Sequence, residues 1–96
     1  MRPSEALALH RDEVLKIIAK YPVSNPRVFG SVARGEDVEG SDIDIIVHPH
    51  TNVSYFELGR LANELGNLLN CTVDLGEDDC IKPHARDSIL NDVIAL

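Results

Sequence analysis

One three-part run constrains the fold more than anything else in the chain. It is SDIDIIV at residues 41–47, an amphipathic segment at residues 54–69, and CTVDL at residues 71–75. The outer two parts are short apolar runs rich in β-branched residues, as in strands. The middle part carries Leu58, Leu61, Ala62, Leu65, Leu68 and Leu69 at i, i+3, i+4 and i+7 spacing, one stripe of a helix. Ser54 and Glu57 stand at capping-box spacing at its start. Two strands linked through a full helix are expected to lie parallel, joined by a right-handed crossover.

The remaining elements follow from this unit. Residues 4–20 carry Leu7, Val14, Ile17 and Ile18 at helical spacing, with Ser4 placed to cap the start. Pro22 and Pro26 bracket an expected loop, and RVFG at residues 27–30 reads as a short strand. Its short, glycine-containing link to SDIDIIV predicts an antiparallel pair. HPH at residues 48–50 closes the second strand and Gly76 the third, while residues 85–96 offer Ile89, Leu90, Val93 and Ile94 as a short covering helix. The expected class is α/β (α+β): a small mixed β-sheet with helices packed on it, forming one domain over residues 1–96.

Charge narrows the function. Sixteen acidic residues against nine basic ones leave a net charge of −7, and the basic residues are scattered. Free DNA or RNA binding draws on clustered Lys and Arg, so it is not expected. No apolar run approaches the ~20 residues of a membrane span. The N-terminus MRPSEALALHRDEVL becomes charged before a signal peptide could form, so a cytoplasmic protein is expected. Cys71 and Cys80 are too few for a disulfide scaffold and lack metal-ligand spacing; Cys71 reads as a small core residue.

Against that background, Asp42 and Asp44 open an otherwise apolar strand. Alternation puts them on one face, roughly 7 Å apart along the strand. Unpaired neighbouring carboxylates repel, and divalent magnesium with its preference for hard oxygen ligands removes that cost. Asp74 in TVDL can join the same face if its strand is the parallel neighbour. Three such acids suit a two-metal site for in-line phosphoryl displacement. Glu77, Asp78 and Asp79 are rival third acids, although they flank or follow Gly76 rather than lying within the apolar run. Gly30 at a strand end lets backbone approach a ligand, Ser31 adds a hydroxyl, and Arg34 lies one helical turn on, able to fork onto a phosphate.

The segment FGSVARGEDVEGSDIDIIV resembles the signature of the DNA polymerase β-like nucleotidyltransferase superfamily: Gly-Ser, then Asp-x-Asp after about ten residues. Within it, the chain resembles the minimal nucleotidyltransferases (MNT) over nearly its whole length, more loosely in KPHARDSILNDVIAL at residues 82–96. The resemblance implies that Asp42, Asp44 and Asp74 hold two Mg2+ ions, or Mn2+, and that Gly30, Ser31 and Arg34 hold the triphosphate. It implies attack on the α-phosphate of ATP or another nucleoside triphosphate. It also implies a HEPN-type helical toxin as partner, with AMP transferred to a tyrosine and the chain acting as antitoxin.

A binding antitoxin that neutralises its partner by covering it is the alternative from another class, and transfer to a small molecule is a third. Because no second lobe is expected, acceptor selection falls to a partner or a second subunit, in a homo- or hetero-oligomer. His48 and His50 are expected in a loop and His10 and His84 on the surface. Tyr55 and Phe56 suggest core or interface packing rather than base stacking, and Lys82 and Arg86 ordinary surface charge.

Overall fold

The computed structural model describes residues 1–78 and 93–96. Its elements run α1 (Pro3–Leu9), α2 (Arg11–Ile18), β1 (Val23–Phe29), α3 (Gly30–Arg34), β2 (Ile43–Pro49), α4 (Tyr55–Leu69), β3 (Val73–Glu77) and β4 (Ile94–Ala95). The strands form one mixed sheet in the order β3-β2-β1-β4. β1 pairs antiparallel with β2 and β4, and β2 pairs parallel with β3, the crossover that the helix between them demands.

One face of the sheet carries the core. Ile43, Ile45 and Val47 of β2 point there, beside Val28 of β1 and Val73 of β3, and all are buried. Leu58, Leu61, Leu65 and Leu69 of α4 cover them, with Val14 and Ile18 of α2 alongside. The α4 stripe is the one its leucine spacing predicts. The Ser54 hydroxyl accepts the Glu57 N–H at 3.2 Å and caps that helix. Asn70 ends it in the left-handed region at φ 55°, a conformation asparagine tolerates. The Tyr21 hydroxyl donates to Glu64, and Lys20 reaches the same carboxylate at 3.1 Å, fastening the end of α2 to α4.

Several expectations are corrected. The helix expected over residues 4–20 is broken into α1 and α2 at His10, which is half-buried at the kink. Hydrogen bonds from His10 N–H to Ala6 and from Val14 N–H to His10 run across it, so Leu7, Val14 and Ile18 still face one core. Ser4 does not cap: Arg2 holds the N-cap position, and the Ser4 N–H donates to Asp37 instead. β1 begins at Val23 rather than near Arg27, crossing the expected loop. Pro26 is accommodated by a register shift between Ser24 and Arg27, with Asn25 at φ 51°.

The strand β3 runs through Gly76 to Glu77 instead of ending there. Of the helix expected over residues 85–96, residues 85–92 lie outside the described residues, and Ile94–Ala95 pair as a strand. Tyr55 and Phe56 are 81% and 77% exposed, which rules out core packing. Among the described residues, no helix is long and apolar enough to cross a membrane.

Candidate active site

The carboxylates lie on the sheet face opposite the helices. The register aligns Phe29 of β1 with Asp44 of β2, and Asp44 with Asp74 of β3. Asp44 and Asp74 are therefore side by side on neighbouring strands, pointing the same way. Asp42 stands just before β2 and is exposed, as is Asp74, whereas Asp44 is half-buried between the two strands. Burial raises the Asp44 carboxyl above the ordinary carboxylate range, and repulsion from Asp74 and Asp42 adds to the rise.

Gly30 completes the local geometry. It follows Phe29 directly and opens α3 with φ +75°, a conformation that favours glycine. A Cβ placed on it would lie 2.9 Å from Asp44 Oδ2. The strand end therefore approaches the carboxylate as closely as a residue without a side chain allows. Ser31 is the next residue of α3, half-buried. Arg34 lies in the last turn of α3, with its Nε 3.1 Å from Glu36 Oε2 on an exposed surface.

The rival third acids separate by face. Glu77 alternates with Asp74 and so points to the helix side of β3. Asp78 is on the carboxylate face but is engaged: the Arg27 guanidinium lies 2.7 Å from its Oδ2, and His48 Nδ1 lies 3.0 Å from its Oδ1. Burial pushes the Asp78 carboxyl up, but Arg27 and His48 outweigh it and hold it below the ordinary range. His48 is thus a strand residue with an acidic partner, not the loop residue expected. The Arg27 side chain starts on β1 and reaches past β2, where Ile46 is fully buried in register with Arg27 and Gly76. Asp79, Cys80, Lys82, His84 and Arg86 lie outside the described residues.

The donor set suits a hard divalent cation. It consists of oxygen ligands only, and the raised Asp44 shows the like-charge repulsion that such an ion would relieve. Among the described residues, no three His, Cys, Asp or Glu side chains converge on one metal position. What is in place is the backbone register of Asp44 with Asp74, with Asp42 two residues upstream of Asp44.

Sequence reasoning missed one buried polar residue. Asp37, in the link from α3 to β2, is only 2% exposed, and its Oδ2 accepts the Ser4 N–H at 2.9 Å. Its partner is 33 positions away, so no local spacing announces it.

Known proteins resemble this chain in sequence and in fold. The family model described as a nucleotidyltransferase domain matches residues 11–96. A candidate protein adenylyltransferase of Methanocaldococcus jannaschii, MJ0126, is 38% identical over 96% of this chain and 92% of its own length. Protein adenylyltransferase MntA of Thermococcus cleftensis is 32% identical over 92% of this chain and 86% of its own. Among solved structures, a candidate minimal nucleotidyltransferase superposes with a TM-score of 0.85 and 35% identity, covering 97% of this chain and 95% of that one. The fold is shared at a TM-score of 0.69 by a structure described as a tri-AMPylated Shewanella oneidensis HEPN toxin in complex with MNT antitoxin. That match is 19% identical over 92% of this chain and 69% of the other. The chain belongs to the nucleotidyltransferase-domain family, among its minimal nucleotidyltransferases.

Proposed function

We propose that this protein transfers AMP from ATP to a hydroxyl, a tyrosine hydroxyl, on a HEPN-fold partner, and so acts as that partner's antitoxin. The observation that carries the proposal is the alignment of Phe29, Asp44 and Asp74 across three strands, with Gly30 pressed against Asp44. It puts a phosphate-approaching strand end on one side of the central carboxylate and a third acid on the other. The AMP-transferring activity named for the 32% identical MntA supports the reaction, and the AMPylated HEPN toxin bound to an MNT antitoxin supports the partner.

In this account Asp42, Asp44 and Asp74 would hold magnesium or manganese. Such an ion, when bound, offsets carboxylate repulsion and charge developing on the phosphate. The chain's own residues orient the reaction. The Ser31 hydroxyl, the backbone at Gly30 and the Arg34 guanidinium hold the phosphates. Glycine at position 30 leaves the room that the Asp44 carboxylate occupies, since a Cβ there would lie 2.9 Å from its Oδ2. The acceptor hydroxyl gives up its proton, its oxygen bonds the α-phosphorus, and the bond to the β-phosphate breaks to release pyrophosphate.

Labelled ATP tests this directly. Incubated with a HEPN-fold protein that binds this chain, α-labelled ATP should mark the partner while γ-labelled ATP should not. Label from the γ-position would indicate a phosphotransferase, and no label from either would overturn the transfer. A stable complex with no transfer would favour the second reading, a binding antitoxin, for which the exposed Tyr55 and Phe56 speak.

A further inference from the structure

We infer that the groove between α4 and the outer edge of β3 is the acceptor's docking surface, receiving a basic, hydroxyl-bearing segment anchored on Tyr55 and Phe56. This rests on the transfer reaction proposed above and adds to it the direction from which the acceptor arrives.

The strand order supplies that direction. Gly30 and Ser31 follow β1, on one side of Asp44, and Asp74 lies on β3, on the other. Attacking and leaving oxygens of a phosphoryl transfer are roughly in line. With the pyrophosphate held on the β1 side, the nucleophile comes from the β3 side. Beyond β3, at the sheet edge and on its helix side, a groove of about 420 Å3 is lined by Tyr55, Gly59 and Ala62 of α4 and by Asp74, Leu75 and Glu77 of β3. Asp74 belongs to both the carboxylate row and the groove.

The groove is built like a contact surface. Tyr55 and Phe56 are two of only four aromatic residues in the chain; Tyr55 lines the groove and Phe56 follows it on the same exposed helical turn. Aromatic side chains in such positions are the anchors that dominate protein interfaces. The Arg60 guanidinium stands 5.7 Å from the centre of the Phe56 ring, so the ring has a neighbour that restrains it. Among the described residues β3 pairs only with β2, which leaves its outer edge open to an extended segment. The edge carries Asp74 and Glu77 in a chain of net charge −7, so the complementary occupant is basic. A second copy of this acidic chain would meet like charge instead.

The test uses this chain, a HEPN-fold protein offered as partner, and two variants. The Tyr55→Ala/Phe56→Ala pair removes the anchors. Gly59→Lys fills the groove and adds a cation, at a helical position where an added Cβ meets nothing within 4 Å. Binding is measured without nucleotide and transfer with it, alongside the KM for ATP, melting temperature and oligomeric state. Both variants should weaken partner binding and raise the KM for the partner at least tenfold, leave the KM for ATP within twofold, and keep the melting temperature. Failure of the wild-type chain to bind this partner, or unchanged partner affinity in the variants, would overturn the proposal. So would a rise in the KM for ATP, which would make the aromatic pair a base-stacking site. Loss of self-association without loss of partner binding would assign the groove to a second copy. Intact binding by a wild-type chain that transfers nothing would sink the reaction proposed above while leaving the docking result readable.

Discussion

Gly30 and Asp44 are packed so that a single methyl group between them would lie 2.9 Å from Asp44 Oδ2. Gly30→Ala therefore carries two costs, the left-handed φ of +75° and a displaced Asp44. Gly35 separates them, since its φ is +71° but a Cβ there would meet nothing within 4 Å. Both alanine variants should lose about 1–2 kcal/mol in urea melts. Only Gly30→Ala should also lose transfer activity, by roughly a hundredfold, as expected for a misplaced catalytic group. Equal activity losses in the two variants would show that the Asp44 contact does not matter.

Asp44 is raised by burial and by its acidic neighbours, and the sign of its effect on stability follows. A folded-state value above the unfolded one means that ionised Asp44 opposes folding at neutral pH. Asp44→Asn should then raise the melting temperature of the metal-free protein at pH 7 by a few degrees, for a gain of about 1 kcal/mol. The gain should fade as the pH falls through the raised folded-state value and be gone below the ordinary carboxylate value. Added magnesium should stabilise the wild-type chain and do so less for the variant. A magnesium response identical in both proteins would argue against Asp44 as a ligand.

Asp37 has the opposite sign. Burial pushes its carboxyl up, but the Ser4 N–H and neighbouring donors outweigh it and hold it below the ordinary range. Its ionised form stabilises the fold above the unfolded value, about 3.9, and that contribution is lost as the pH falls through the lower folded value. Asp37→Asn keeps an oxygen to accept the Ser4 N–H but removes its charge, and should cost about 1 kcal/mol at pH 7, the margin of a charged over a neutral acceptor. The difference from wild type should shrink as the pH falls below about 4, through the lowered folded-state value. A difference that is constant across that range in denaturant melts would mean the carboxylate charge plays no part.

The parts of this fold that were legible in the sequence are those set by local periodicity. The change from a two-residue to a 3.6-residue period between residues 41 and 75 gave β2, α4 and β3 and their parallel pairing, while the register that aligns Asp44 with Asp74 is read from the folded chain. The antiparallel β1–β2 pair followed from the short link carrying Gly35 and Gly40. Illegible were contacts between distant residues. Asp37 and Ser4 are 33 positions apart, and Arg27 and Asp78 are 51 apart, so neither pairing leaves a local mark. β1 was read too short because Pro22 and Pro26 look like loop punctuation. The bulge that admits Pro26 depends on its strand neighbours rather than on its own sequence. β4 has two residues and no periodicity of its own to detect. In the site, residue types and spacing named Asp42, Asp44, Asp74 and Gly30. That Gly30 is pressed against Asp44, and that Asp78 is committed to Arg27 and His48, required the folded chain.

The central claim is that the aligned carboxylates serve transfer of AMP to a protein. Intact-mass spectrometry of a HEPN-fold protein that binds this chain tests it most directly, after incubation with this chain, ATP and magnesium. The Asp42→Ala/Asp44→Ala variant runs in parallel. A partner mass increased by one or more AMP units with the wild-type chain, and unchanged with the variant, is the expected result. A partner of unchanged mass in both reactions, or an equal gain with the variant, would contradict the account.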